Sequence, residues 1–133
     1  MGEDSQKQSV LVVDDECNIR RAVQYILEHQ GFAVDSAADG QEAIAKIQQE
    51  PPDLVLLDIK MPNGNGYDVC QSIRSDDGLS HVKILMLSAC CKDIAIEKAM
   101  ALGADGYVTK PFCTADLIST VNRYCAQGDV EHA

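Results

Sequence analysis

Residues 10–15 read Val-Leu-Val-Val-Asp-Asp, an unbroken apolar run that ends on two carboxylates. Four apolar residues in succession are typical of a strand that is buried on both faces, as in a parallel sheet covered by helices. The same arrangement returns at residues 54–58, Leu-Val-Leu-Leu-Asp. If both runs are parallel strands, their acidic residues meet at the carboxyl edge of one sheet, where ligands of open α/β sheets bind.

Two further apolar runs end on a hydroxyl and on an ammonium group. Ser88 follows the run at residues 84–87, and Lys110 follows the short run at residues 107–109. At one sheet edge these side chains would join the acidic residues described above. Clustered carboxylates repel one another unless a cation joins them, and hard divalent ions prefer oxygen ligands. A divalent ion with a hydroxyl and an ammonium beside it predicts a site that handles phosphate.

The segments between these runs carry helical periodicity. Ile19, Val23 and Leu27 fall on one stripe of a helix predicted from about Glu16 to Gln30, and Gly31 marks its end. Alternating strands and helices joined by short connections predict a doubly wound α/β domain with a parallel sheet. The predicted strands are 10–13, 32–37, 54–57, 82–87 and 106–109. Four predicted helices start near 16, 39, 92 and 114, and a further helix after the loop at residues 61–66 carries Val69, Cys70 and Ile73.

Composition restricts the class of protein. A chain of 133 residues is one domain by length, and 46% hydrophobic residues suffice for a core. We expect one domain at residues 9–126 with tails at 1–8 and 127–133. A net charge of −10 argues against direct binding to nucleic acid. The acidic start is no secretory signal and no apolar run reaches about 18 residues, so a cytoplasmic protein that does not enter the membrane is expected.

Six cysteines, at positions 17, 70, 90, 91, 113 and 125, form no Cys-x-x-Cys pair and no zinc-type spacing. We therefore predict reduced thiols that are mostly buried as small hydrophobic side chains. Cys17, Cys90, Cys91 and Cys113 border the predicted site, so oxidation of these thiols is a hypothesis for gating its chemistry.

Taken together, the residues resemble the receiver domain of two-component response regulators, the CheY-like phosphoacceptor domain. The resemblance covers about residues 9–126. It is carried by Asp14-Asp15, the segment 58–66 (Asp-Ile-Lys-Met-Pro-Asn-Gly-Asn-Gly), Ser88-Ala89 and Lys110-Pro111-Phe112. It implies a flavodoxin-like three-layer sandwich, (βα)5, with a five-stranded parallel sheet of order 2-1-3-4-5.

The resemblance also implies a reaction. Asp58 would accept a phosphoryl group from a phosphohistidine of a sensor histidine kinase or a His phosphotransfer protein. Asp15, Asp58 and the backbone carbonyl of Lys60 would hold Mg²⁺ directly, with Asp14 acting through water, and Mn²⁺ would substitute. The Lys110 ammonium would neutralise charge on the phosphoryl oxygens. Such a protein is a signalling switch and not a metabolic enzyme.

A conformational switch is implied as well. Ser88 would hydrogen-bond the phosphoryl group, and Tyr107 would then move inward and shift the population of two conformers. The Lys110-Pro111 peptide bond would be cis. Downstream partners, an attached output domain or a second copy would bind the fourth helix, fifth strand and fifth helix, about residues 92–125.

Each residue alone has a simpler interpretation. Asp14-Asp15 would be helix caps, Asp58 a turn residue, Ser88 a loop serine, Lys110 a solvated lysine and Tyr107 an edge tyrosine. These interpretations require several coincidences at one sheet edge.

Three other classes compete with a phosphorylated receiver. An aspartyl-phosphate phosphatase normally has a second aspartate two residues after the nucleophile, where this chain has Lys60. A degenerate receiver that binds partners without phosphorylation would not need all of the acceptor residues. A nucleotide-binding module would show a Gly-rich phosphate loop, and none is present.

Overall fold

Five parallel strands form one sheet of order β2-β1-β3-β4-β5 in the computed structural model of the protein. The structure describes residues 8–59, 66–88, 93–110 and 112–125, and the side chains of residues 88 and 93–96 are outside that description. The strands are β1 (Ser9–Val13), β2 (Ala33–Ala37), β3 (Leu54–Asp58), β4 (Lys83–Ser88) and β5 (Gly106–Thr109). The predicted doubly wound sheet and its strand order are confirmed.

Five α-helices alternate with these strands in the described part of the chain. They are α1 (Cys17–His29), α2 (Gly40–Gln49), α3 (Gly66–Arg74), α4 (Asp93–Ala101) and α5 (Thr114–Cys125), with a 3₁₀ turn at Asp77–Leu79 before β4. The predicted boundaries agree with these to within one or two residues at most ends. None of these helices is long and apolar enough to cross a lipid bilayer.

The core has two layers, one on each face of the sheet. Successive strand residues point to opposite faces, so Val13 and Leu57 pack under α2, α3 and α4, while Val12 and Leu56 pack under α1 and α5. All four of these side chains are fully buried. This explains why the strands read as continuous apolar runs: both of their faces are covered. The predicted three-layer sandwich is the observed arrangement.

Two helices are followed by glycines, and the first of these, Gly31, marks a helix end that the sequence predicts. Gly31 after α1 has φ of 95° and Gly103 after α4 has φ of 112°, a left-handed conformation that disfavours residues with a Cβ. A Cβ at Gly103 would also lie 2.5 Å from Cγ of Arg74. The turn between α4 and β5 therefore has a conformational and a steric need for glycine.

Arg74 joins that turn to the rest of the sheet at the amino edge. Its Nε donates to the carbonyl of Gly103 at 2.8 Å, and its Nη2 donates to Oδ2 of Asp105 at 2.8 Å. The same Oδ2 accepts the backbone N–H of Ile84 at 2.8 Å, at the start of β4. One guanidinium group thus connects the end of α3 to the segment that leads into the edge strand β5.

Replacing Arg74 by Met is expected to lower the free energy of unfolding by about 2 kcal/mol, because hydrogen bonds to charged groups typically contribute about 1.5–3 kcal/mol. The apolar stem is kept, so the change removes mainly the charged contacts. Urea unfolding followed by circular dichroism measures the effect. Arg123→Met, at an exposed position of α5, is the matched control and should change stability by less than about 0.5 kcal/mol.

The described cysteines do not all fit the prediction of buried thiols. Cys70 is buried and Cys125 is half-buried, but Cys17 and Cys113 are exposed. Burial raises the pKa of Cys70, and burial with the charge of Asp53 raises the pKa of Cys125 to about 12. The prediction was wrong for Cys17 and Cys113, because both lie at the start of a helix, next to the exposed carboxyl edge. Cys90 and Cys91 are outside the described residues.

Candidate functional site

Three carboxylates meet at the carboxyl edge of the sheet. Asp58 is the last residue of β3, and Asp14 and Asp15 directly follow β1, whose Val13 pairs with Leu57. One oxygen from each of the three carboxylates lies within 4.8 Å of the others. Asp14 is 0% exposed and Asp58 is 8% exposed, whereas Asp15 faces solvent. This cluster can hold a metal ion, because a set of carboxylate oxygens is what hard divalent cations bind.

Lys110 places a positive charge beside two of these acids. Its Nζ donates to Oδ2 of Asp14 at 2.7 Å and lies 3.7 Å from Oδ2 of Asp58. The Lys110 side chain is only 13% exposed, so the interpretation as a solvated lysine is wrong. Burial alone would lower the pKa of Lys110, but the hydrogen bond to Asp14 and the charge of Asp58 outweigh it and raise the pKa above its ordinary value.

Asp14 is held from several directions. Oδ1 accepts the backbone N–H of Glu16 at 2.9 Å, and the N–H of Asp14 itself donates to the carbonyl of Ala37 at the end of β2. Glu16 is the N-cap residue of α1, and its side chain caps nothing. Since the Asp14 carboxylate does not reach the free N–H groups inside the first turn, the interpretation of Asp14 as a helix cap is not supported.

The two predicted switch residues lie on neighbouring strands. Ser88 is the last residue of β4 and pairs with Thr109 of β5, and Met86 pairs with Tyr107. Tyr107 is 48% exposed on the edge strand β5, as both a switch residue and a simple edge tyrosine would be. It borders a surface groove of about 190 Å³ that Thr109, Phe112 and Thr120 also line.

Some predicted site residues are outside the described part of the chain. They are Lys60, the rest of the loop at residues 61–65, Pro111 and the side chain of Ser88. The predicted carbonyl ligand of Lys60, the hydroxyl contact of Ser88 and the cis peptide bond at Lys110-Pro111 therefore stay predictions. The structure brings together Asp14, Asp15, Asp58 and Lys110.

Gly66 keeps the backbone of the acidic strand close to α3. Its N–H donates to the carbonyl of Ile59 at 2.9 Å. A Cβ at Gly66 would lie 2.9 Å from Cα of Ile59 and still closer to the backbone oxygen of Asp58. Since the neighbouring atoms are backbone, they cannot move aside cheaply. Only glycine allows α3 to begin this close to Asp58.

Gly66→Ala is therefore expected to destabilise the protein by about 1–3 kcal/mol, the usual cost of overpacking. Helix propensity alone would predict the opposite effect, since alanine stabilises a helix by about 1 kcal/mol relative to glycine. Urea unfolding measures the difference. Gly78→Ala is the matched control, because its Cβ would meet only the side-chain oxygen of Asp76 at 3.3 Å. Equal stability of the two variants would contradict the steric explanation.

One residue next to the site carried no signal in the sequence. Nη1 of Arg20, in the first turn of α1, donates to the backbone carbonyl of Asp14 at 2.7 Å. Every residue has a backbone carbonyl, so a hydrogen bond to one depends on the fold and not on the type of the accepting residue. The sequence pattern therefore does not predict this contact. The only hint is that helix side chains lean toward the N-terminus, which aims Arg20 at the preceding loop.

The charges of the cluster define what it can do. Three carboxylates with one ammonium leave two negative charges, which one divalent cation would balance. Asp58 lies 3.7 Å from the ammonium and within 4.8 Å of the other acids, and unlike Asp14 it keeps some exposure. A nucleophilic carboxylate between cationic groups is suited to phosphoryl transfer, which depends mainly on positioning and charge neutralisation.

Comparison with known proteins assigns the family. The family model of the response regulator receiver domain matches residues 10–122. The chain belongs to this family. It is a receiver domain of two-component response regulators, and the predicted family is confirmed.

Curated relatives of this receiver domain are longer proteins. It is 47% identical over 112 residues to the probable transcriptional regulator ycf27 of Guillardia theta. The matched segment covers 84% of this chain and 42% of that protein. It is 35% identical over 130 residues to the DNA-binding response regulator MtrA of Mycobacterium tuberculosis. The matched segment covers 98% of this chain and 56% of that protein. The chain thus spans about half the length of the curated relatives it matches.

Two solved structures of similar proteins share the fold along nearly their whole length. The chemotaxis response regulator CheY4 of Vibrio cholerae is 34% identical with a TM-score of 0.86, covering 90% of this chain and 99% of that chain. A putative response regulator from Chloroflexus aurantiacus is 30% identical with a TM-score of 0.88, covering 92% and 100%. The flavodoxin-like, CheY-like architecture expected from the sequence is confirmed.

Proposed function

We propose that this receiver domain is a phosphorylation-controlled switch in which Asp58 is the phosphoacceptor. The observation that carries the proposal is the meeting of Asp58 with Asp14, Asp15 and Lys110 at one sheet edge. A carboxylate oxygen of Asp58 attacks phosphorus, the bond between phosphorus and the donor's histidine nitrogen breaks, and the phosphoryl group ends on Asp58 as an acyl phosphate. The donor is a sensor histidine kinase or a His phosphotransfer protein in the cytoplasm.

The donor set of the site fits Mg²⁺, with Mn²⁺ as a substitute. Asp15, Asp58 and the backbone carbonyl of Lys60 would hold it directly and Asp14 would act through water. The contacts of Asp14 support its indirect role, since both of its oxygens already accept hydrogen bonds, from Glu16 and Lys110. When bound, the ion supplies positive charge to the acceptor and phosphoryl oxygens.

Lys110 supplies the second positive charge. Its ammonium lies 3.7 Å from Asp58 and is held there by Asp14. The raised pKa of Lys110 keeps the group protonated across the neutral range, so its charge is available to a phosphoryl oxygen at every physiological pH. The domain in this way assists its own phosphorylation and dephosphorylation, without turning over a separate substrate.

The signal would leave through the face formed by α4, β5 and α5. Ser88, paired with Thr109 at the ends of β4 and β5, would donate its hydroxyl to the phosphoryl group, and the exposed Tyr107 would then turn inward. This change alters the face offered to an attached output domain, a partner protein or a second copy. The DNA binding in the name of MtrA belongs to that longer protein. A net charge of −10 argues against DNA contact by this domain itself.

The test is the intact mass of the protein after incubation with acetyl phosphate and Mg²⁺. We expect a gain of one phosphoryl group, lost when a chelator is present. Folded protein that binds Mg²⁺ but gains no mass would instead favour a receiver that binds its partners without phosphorylation. Steady release of phosphate from an added phosphate ester would favour the phosphatase.

A further inference from the structure

We propose that Arg20 is a positioning residue for the metal site, acting through the peptide group that joins Asp14 to Asp15. The inference rests on the proposed function, because it concerns the same Mg²⁺ site. It assigns a role to a residue whose only described contact with the site is made to backbone.

Within the described residues, one hydrogen bond holds the peptide group between Asp14 and Asp15. The N–H of Asp14 still pairs with β2 at Ala37, but its carbonyl accepts from Nη1 of Arg20 at 2.7 Å. The Arg20 side chain is half-buried, and its own N–H donates to the carbonyl of Glu16 in the first turn of α1. The guanidinium group therefore fixes the direction of this carbonyl relative to a helix.

Asp15 depends on that peptide group more than Asp14 does. Asp14 is fully buried, and Lys110 and the N–H of Glu16 hold its carboxylate. Asp15 is exposed, and within the described residues no hydrogen bond or ion pair holds its side chain. The carbonyl of Asp14 and the nitrogen and Cα of Asp15 lie in one peptide plane. By fixing the direction of that carbonyl, the Arg20 contact also fixes the position of the Asp15 Cα, from which the side chain extends. Arg20 thereby aims the exposed carboxylate at the cluster.

Positioning and simple charge predict opposite effects on Mg²⁺ affinity. Arg20 is a cation close to three carboxylates, so if only its charge mattered, removing it would tighten the binding of a divalent cation. If Arg20 holds Asp15 in place, removing it weakens binding instead. Removing a residue that hydrogen-bonds a metal ligand typically lowers metal affinity by about 10–100-fold. Arg20 contacts the backbone before the ligand and not the ligand itself, so we expect an effect at the lower end of this range.

The neighbouring residue offers a matched control. Arg21 is exposed in the same helical turn, and its side chain has no hydrogen bond or ion pair within the described residues. Arg21→Met changes the net charge by the same amount as Arg20→Met and leaves the Asp14 carbonyl contact intact. Arg20→Lys keeps the charge and a donor that can reach a carbonyl, so it tests whether the hydrogen bond can be restored.

The experiment is calorimetric titration of MgCl₂ into metal-free protein for the parent, Arg20→Met, Arg20→Lys and Arg21→Met. We expect the dissociation constant to rise about 10-fold in Arg20→Met. Arg20→Lys should recover most of this loss, and Arg21→Met should bind as tightly as the parent or more tightly. Circular dichroism of each metal-free variant verifies that it is folded at the titration temperature.

Several outcomes would overturn the inference. Unchanged or tighter binding by Arg20→Met would show that charge alone acts, and equal weakening in Arg20→Met and Arg21→Met would remove the special place of Arg20. No recovery in folded Arg20→Lys would rule out the hydrogen bond as the cause. Failure of the parent itself to bind Mg²⁺ would overturn the proposed function as well, so the two failures are distinguishable.

Discussion

Asp58→Asn is expected to abolish phosphorylation of this receiver domain by acetyl phosphate. The amide has the same shape as the carboxylate but lacks the anionic oxygen that attacks phosphorus, so the intact mass should stay unchanged where the parent gains one phosphoryl group. The acids Asp14 and Asp15 lie within 4.8 Å, yet neither replaces Asp58. Asp14 is fully buried and its carboxylate accepts two hydrogen bonds. Within the described residues, no ion pair joins Asp15 to Lys110.

The matched control is Asp77→Asn, an equal change of charge at an exposed position of the 3₁₀ turn. It should gain the phosphoryl group at the parental rate. Phosphorylation of Asp58→Asn at the parental rate would place the acceptor elsewhere and refute the assignment. Peptide mapping after borohydride reduction of the acyl phosphate would then identify the residue that carries it.

In a chelating buffer, the Asp58→Asn variant should be more stable than the parent protein. Asp58 lies beside two carboxylates that repel it, and the Lys110 ammonium that attracts it pairs more closely with Asp14. Removing its charge is expected to raise the free energy of unfolding by about 1 kcal/mol, since charges about 4 Å apart interact by a few kcal/mol near a protein surface. Clustered carboxylates repel one another until a cation binds. An aspartate that lowers the stability of the metal-free protein is therefore expected in a metal site.

The edge of the sheet could be predicted because its signals are local. Continuous apolar runs mark strands covered on both faces, and the residue at the end of each run must lie at the sheet edge. The lengths of the runs left an uncertainty of one residue: Asp58 and Ser88 are the last residues of their strands and not the first residues after them.

The contacts within the site could not be predicted from local pattern. Asp14 and Asp15 are adjacent and identical, yet one is fully buried and the other faces solvent. Lys110, 96 residues away along the chain, donates to Asp14, and within the described residues it makes no such contact with Asp15. The Arg20 contact is equally invisible, since its acceptor is a backbone carbonyl that every residue possesses. The family resemblance predicted which residues matter but not how each is held.

Lys110→Met is expected to lower the free energy of unfolding of the metal-free protein by about 3–5 kcal/mol, the usual cost of removing one partner of a buried ion pair. The reason is Asp14, which is 0% exposed and would lose the ammonium at 2.7 Å. Methionine keeps the length of the side chain, so the loss is mainly electrostatic. Urea unfolding in a chelating buffer measures it, with Lys83→Met as the control, a half-buried lysine at the opposite end of β4.

The pH dependence of this difference follows from the raised pKa of Lys110. A lysine whose pKa is higher in the folded state contributes stability that is fully present below its unfolded value and is lost as the pH rises through the folded value. The difference between parent and Lys110→Met should therefore be constant between pH 6 and 9 and should shrink only above about 10.5. A difference that already shrinks near pH 8 would contradict a protonated, ion-paired Lys110.

Lys110→Met should also separate metal binding from phosphorylation. Without the ammonium, the positive charge that pairs with Asp14 and Asp58 no longer competes with the cation, so the affinity for Mg²⁺ is expected to rise about 10-fold by Coulomb attraction. Phosphorylation by acetyl phosphate should nevertheless slow by about 10²-fold or more, because a charge that stabilises the transferring group is lost. Tighter Mg²⁺ binding together with slower phosphorylation would show that Lys110 serves the phosphoryl group and not the metal. Weaker Mg²⁺ binding would instead mean that Lys110 mainly holds the carboxylates in place.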